Sequence, residues 1–474
     1  MRKNCPQFEL LASVVRADRN GEAGSSAVWR CFSASSAEQG LAHGGSERFP
    51  LESLVQFSDE TGKATVNRTA SIGLDLAWKK VLRDGPAGWM VLLFFLPIIR
   101  NTILVRQRAD VSGYTGIDFW AVLDITSLCL CGWALLCHLG QIPWKKLCRS
   151  CYFWWLLYYV FASLSIFWRL EGSSIVYILY RSFSMLLMSL YLFWLISLYR
   201  SAESAFAGIL KYTWWIMLLG VVGTVRFGGL HTNTYSFTAA SLVVLAYAGY
   251  KVGLYPPGKV FGYILSGSVC LILGTSGGSN VAFVCGMFFI LSLTGCRINW
   301  VWFVMLCIAV LLVYLCFFED LLAILFPGKN PEGIASGTGR FRMWEIYWEA
   351  WKLRPWLGWG FAVGERSGEQ FGYIYTLSAH NGFISLLINT GIAGCLIWGR
   401  FFFGLCLGLF YQMRKGMPYA FPVFAMLIVS CVNNLSVPII GSIWGTLSTS
   451  VLMVISFYVL FIQYGEKESS GDAV

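Results

Sequence analysis

Residues 376–394 read TLSAHNGFISLLINTGIAG, a polar approach that turns at His380 and Asn381 into an apolar run extending to about residue 410. A bilayer-spanning helix needs about 20 residues. The run 381–410 is longer, so it is expected to begin above the membrane or to tilt, with Arg400 inside it facing a cavity. A plain anchor would carry Trp, Tyr or Lys at its mouth. Here stand a histidine and an asparagine, and histidine is the side chain whose unperturbed pKa lies near neutrality. The stretch reads as a membrane helix with a titratable group at its entrance.

The chain on either side follows the same pattern. Of 474 residues, 57% are hydrophobic and 13% charged. Soluble domains run at about 25% charged, so the deficit predicts a membrane protein. The 21 tryptophans agree, because Trp and Tyr gather at bilayer interfaces. Apolar stretches of span length fall at 86–105, 117–140, 151–168, 174–199, 205–225, 233–250, 259–274, 280–295, 300–318, 381–410, 419–438 and 443–463. The expectation is an all-α polytopic domain over 85–465, with about twelve transmembrane helices.

The net charge of +10 does not argue for nucleic acid, since Lys and Arg sit mostly in short gaps where they set topology. Fifteen cysteines lie largely inside apolar runs, without paired CxxC motifs or spaced histidines, and read as small buried hydrophobes. Residues 1–84 are polar and rich in Gly, Ser and Ala, and are expected to form a weakly ordered cytoplasmic tail. They show no secretory signal pattern. Residues 466–474 make a second short tail. Basic residues at Lys145, Lys146, Arg149, Arg200, Lys251, Lys259, Arg297, Arg414 and Lys415 mark the inner gaps and put both termini in the cytoplasm. The exceptions are Arg106, Arg108, Arg169 and Arg226.

Residues 319–380 form the one long loop, on the outer side by this count, and long loops are usually functional. Within it, GTGRFRMWEIYWEAWKLRPWLGWGF predicts an amphipathic helix capped by Thr338 and ended by Pro355, Gly358 and Gly360. Met343, Trp344, Tyr347, Trp348 and Trp351 share a stripe, opposite Arg342, Glu345, Glu349 and Lys352. Arg342 is expected to pair with Glu345. Arg340 falls on the aromatic side and needs an anionic partner, either a phospholipid phosphate or a substrate phosphate.

Arg226 in TVRFGGLHTNT, Arg340 and His380 therefore converge on the outer side. Two guanidiniums suit a diphosphate, and an imidazole beside them can take a proton from a hydroxyl. His231 is either structural or a substrate contact. Arg181, inside the fourth span, has no assigned partner. No phosphate loop, HExxH or acidic cluster suggests a nucleotide, a metal or another cofactor.

In order and spacing, VRFGGLHTNTYSF, GTGRFRMW, RPWLGWGF and AHNGFISLLINTGIAG resemble the O-antigen ligase and polymerase family of bacterial inner-membrane glycosyltransferases, over roughly residues 220–400. The resemblance implies a GT-C-like helical fold with its active site facing the periplasm. It implies a glycan donor on undecaprenyl diphosphate, with membrane lipids around it and no cofactor or nucleic acid. By position, Arg226 and Arg340 would hold the diphosphate and His380 would activate an acceptor hydroxyl. His231, Asn233 and Asn381 would be candidate substrate contacts. One departure is TSGGSN, where Gly277 stands in place of an arginine the family often carries. A ligase would use lipid A–core as acceptor; a polymerase would extend a lipid-linked glycan or build exopolysaccharide. A transporter would instead show internal repeats and broken helices.

Overall fold

The computed structural model describes residues 85–102, 119–227, 232–274, 276–293, 340–371, 378–439 and 445–464. The expected tails and the span at 300–318 lie outside them. Every regular element among the described residues is helical. The long helices are α1 (Gly88–Thr102), α2 (Phe119–Cys137), α4 (Cys151–Leu164), α5 (Ile175–Ser197), α6 (Ala202–Phe227) and α7 (Asn233–Lys251), with the short α3 (Trp144–Cys148) between α2 and α4. They are followed by α8 (Pro257–Gly274), α9 (Gly277–Leu293), α10 (Arg340–Leu353), α11 (Gly382–Arg414), α12 (Ala420–Asn433) and α13 (Thr446–Phe457). Among the described residues, four helices (α5, α6, α8 and α11) are long and apolar enough to cross a membrane. Six shorter apolar helices accompany them. The all-helical membrane reading therefore stands, while the twelve-span count remains an expectation.

α7 sits at the centre, packed against α6, α8, α9, α12 and α13. Its sequence explains the position. Ser236, Thr238, Ser241, Ala239, Ala240 and Ala246 are all fully buried, and small residues let helix backbones approach closely where lipid gives no hydrophobic drive. Partners answer with glycine. A Cβ on Gly267 of α8 would come 2.6 Å from Val243, and one on Gly286 of α9 would come 2.5 Å from Val429 of α12. On the other side, α4 is held by polar contacts inside an apolar core. Trp155 donates its indole N–H to Ser189 of α5 at 2.9 Å, and its ring lies 4.9 Å from Phe401 of α11.

The excess length of the 381–410 run has a specific source. α11 is broken at Gly391 (φ 61, ψ −164), and the 23 residues after the break would extend about 34 Å, close to the roughly 30 Å of a bilayer core. Around the break, four backbone hydrogen bonds join α11 to residues 355–360. Trp359 and Gly360 donate their N–H groups to the carbonyls of Ile388 and Asn389 at 2.9 and 3.0 Å. Ile392 and Ala393 donate theirs to Pro355 and Trp356 at 2.9 and 3.0 Å. These four backbone groups of α11 are thus paired by the protein itself, as irregular backbone inside such a protein requires. Arg400 is exposed, with its guanidinium 5.7 Å from the Trp154 ring centroid.

The aromatic stripe of α10 is divided: Met343 and Tyr347 are buried together with Ala350, whereas Trp348 is half exposed. Two local expectations change. Arg342 is exposed and does not pair with Glu345; the ion pair on that face joins Lys352 to Glu349 at 2.7 Å. Of the described cysteines, Cys131, Cys151 and Cys270 are buried, whereas Cys129, Cys137 and Cys148 face outward.

Candidate functional site

One end of the bundle gathers the helix ends that carry the sequence motifs. The loop segment after α10 is tied to the turn between α4 and α5. Trp168 donates its indole N–H to the Leu357 carbonyl at 2.8 Å, and Leu170 donates its N–H to Trp359 at 2.6 Å. The start of α11 is tied to the end of α12, where Gly382 N–H donates to the Asn434 carbonyl at 2.7 Å. α9 joins the same cluster, because the Ser279 hydroxyl donates to Asn433 Oδ1 at 3.3 Å. On its far side, Tyr235 near the start of α7 donates to the Leu273 carbonyl at the end of α8 at 3.3 Å.

His380 stands at the mouth of α11, partly exposed, with φ 48. Left-handed backbone is uncommon for a residue with a side chain, though His and Asn are enriched there. Asn381 follows as the N-cap. Its Oδ1 accepts from the N–H groups of Phe383 and Ile384 at 2.9 and 3.2 Å, satisfying two of the donors every helix start leaves open. The side chain is 5% exposed, so its role as cap competes with the role of substrate contact. Asn381→Ala should cost about 0.5–2 kcal/mol of stability, read as a lowered Tm in detergent.

α10 reaches the same turn. Trp344 donates its indole N–H to the Ala379 carbonyl, one residue before His380, at 2.9 Å. Arg340 lies one helical turn earlier on that face. Burial lowers its guanidinium pKa below the ordinary value, so the charge is short of solvent and favours an anion. Among the described residues no carboxylate lies within ion-pairing distance of it.

Beneath the turn is a residue that the sequence did not single out. Glu365, in the 3-10 segment Gly364–Phe371, accepts from the Ser385 hydroxyl through Oε1 and from the Ala379 N–H at 3.1 Å through Oε2. Ser378 bonds to it as well. Burial pushes its carboxyl up to about 7, outweighing the three hydrogen bonds that pull the other way. A lone acid in GERSGEQF looks like ordinary loop polarity, and only its enclosure reveals it.

Arg181 now has surroundings. Its guanidinium lies 5.0 Å from the Tyr177 ring centroid and 5.5 Å from that of Tyr180. Arg366, from the loop, lies 5.6 Å from the same Tyr177 ring. Tyr180 in turn donates to Asp124, which lies 3.8 Å from Arg100.

Arg226 occupies the last turn of α6 and Asn233 the first of α7, at the same end of the bundle, while the Arg226 side chain and all of His231 lie outside the described residues. Gly277 opens α9, whose first turn is capped by Ser276. Among the described residues no group of three His, Cys, Asp or Glu side chains could hold a metal ion.

No curated protein matches the chain. Residues 262–399 match the family model described as O-antigen ligase, a span that runs from α8 through α10, Glu365 and His380 to the middle of α11. This part of the chain is therefore similar to an O-antigen ligase domain, and the match supports the O-antigen ligase/polymerase family of glycosyltransferase-like membrane enzymes.

Proposed function

We propose that the protein transfers a glycan from undecaprenyl diphosphate to an acceptor hydroxyl at the periplasmic face of a bacterial inner membrane, as a ligase acting on lipid A–core. The observation that carries the reading is the hydrogen bond from Trp344 to Ala379. It holds the helix that begins with a desolvated arginine against the turn that carries the histidine, inside the family-matching segment.

In this reading Arg340 and Arg226 grip the diphosphate oxygens. His380 removes the proton of the acceptor hydroxyl as that oxygen attacks the anomeric carbon. The bond from that carbon to the phosphate oxygen breaks, and its electron pair leaves with the lipid diphosphate. One displacement of this kind inverts the anomeric centre. The guanidiniums stabilise the charge developing on the leaving group, and neither metal nor nucleotide takes part.

The arginines are separable by experiment. Arg340→Ala should weaken binding of the lipid diphosphate roughly ten- to hundredfold, the worth of a charge-assisted hydrogen bond or two. Arg342→Ala, on the exposed face, should change it less than about twofold. Equal losses, measured by equilibrium binding to labelled undecaprenyl diphosphate, would remove Arg340 from the diphosphate site.

The break in α11 favours a second reading, because discontinuous helices are a mark of transporters. In those, however, the freed backbone groups are left for the cargo. At Gly391 the protein's own loop takes them, which supports the enzyme. The deciding experiment reconstitutes purified protein with undecaprenyl-diphosphate-linked glycan, with and without lipid A–core. Glycosylated lipid A–core supports the ligase. Lengthened carrier-linked chains mean a polymerase, and glycan movement with no new glycosidic bond means a transporter.

A further inference from the structure

His380 stands in left-handed backbone, φ 48, which a non-glycine residue keeps only when its surroundings hold it there. Three contacts do so. Trp344 holds the Ala379 carbonyl from one side, and Asn434 holds the first N–H of α11 from another. The third is the Glu365 carboxyl. It binds the N–H of Ala379 and the hydroxyl of Ser378, and Ser378 Oγ in turn accepts the His380 N–H at 3.3 Å. Its other oxygen is fixed by Ser385, one turn into α11. A single side chain thus joins the residues before His380 to the helix after it.

We propose that Glu365 is a positioning residue for His380, clamping the Ser378–Ala379–His380 turn onto the first turn of α11 and so fixing where the imidazole stands. This rests on the reading of His380 as the base. Glu365 itself touches no reacting atom. No charged side chain contributes to the Glu365 shift; the ionisable neighbours on the elements that meet here are Arg366 beside it, His380 on the turn, and Arg340 on α10.

The clamp works through shape and hydrogen bonds, so the neutral amide should largely replace the acid. Gln offers one oxygen to the Ala379 N–H and an amide to the serine hydroxyls, which can turn to accept. In the reconstituted full-length protein, Glu365→Ala should lower kcat about tenfold or more with KM little changed. Glu365→Gln should restore most of that loss. Ser385→Ala, which removes one anchor and carries no charge, should give a smaller kcat loss in the same direction.

A second readout needs no catalysis. The chain has four histidines, and the rate of diethylpyrocarbonate modification at each can be followed by peptide mass. In Glu365→Ala and Ser385→Ala the rate at His380 should change severalfold, with the others unmoved. An unchanged rate at His380 in both variants overturns the proposal. So does a Glu365→Gln enzyme as slow as Glu365→Ala, since that would make the carboxyl a proton carrier. A fall in Tm with kcat and reactivity unaltered overturns it too, leaving a purely structural acid. If wild-type protein forms no glycosidic bond while His380 reactivity still shifts, the clamp stands and the enzyme reading falls.

Discussion

His380→Asn should cut glycan transfer about a hundred- to ten-thousandfold, the range a positioned general base contributes, while insertion and Tm stay near wild type. Asparagine is the informative replacement because the position has φ 48. Backbone of this hand strains most side-chain-bearing residues, and asparagine accepts it. Alanine would remove the imidazole and strain the turn together, so any extra loss in His380→Ala over His380→Asn measures the backbone share. The defect should fall on kcat, since a base acts in the transition state. Transfer by His380→Asn at the wild-type rate would take the imidazole out of the chemistry.

Gly391→Ala should be the most damaging small substitution in the membrane domain. The position combines φ 61 with ψ −164, a region open to glycine and closed to almost everything else. An added Cβ would also lie 2.5 Å from the backbone carbon and oxygen of Trp356, and those atoms cannot turn away as a side chain can. Backbone strain and overpacking each cost about 1–3 kcal/mol. The expected result is a large fall in Tm and loss of transfer, although residue 391 lies well along the helix from His380. Gly416→Ala is the control: φ is also positive, at 79, but nothing lies within 4 Å of the new Cβ. It should cost about 1 kcal/mol and leave transfer intact. Similar Tm shifts in the two variants would mean that contact with the Trp356 backbone does not matter.

The sequence carried the parts of this architecture that depend on side-chain pattern. The apolar runs mark the helices because lipid demands long apolar segments, and the Arg340–Leu353 helix is visible from its periodicity. The partly buried Arg340 and the exposed Arg342 fall where that periodicity puts them. The stripe is divided, with Met343 and Tyr347 against protein and Trp348 half exposed, because a wide aromatic stripe does not say which of its edges meets protein and which meets the surroundings. RPWLGWGF read as a helix stop and as one motif of the resemblance. Its larger role is invisible in one sequence, since the four bonds it makes to α11 are between backbone groups and leave no residue-type signature beyond the glycines. Glu365 escaped for a related reason. Its chemistry comes from enclosure by Ser378, Ala379 and Ser385, two of which lie next to His380 in a motif already read for its histidine.

The pairing between residues 355–360 and the gap in α11 also constrains how the protein can be re-engineered. Each partner presents two N–H groups and two carbonyls at a fixed stagger, so a one-residue insertion or deletion on either side would misalign both pairs at once. Chimeras that exchange the long loop for that of another glycan-transferring protein should therefore fold only when residues 382–393 travel with it as a matched cassette.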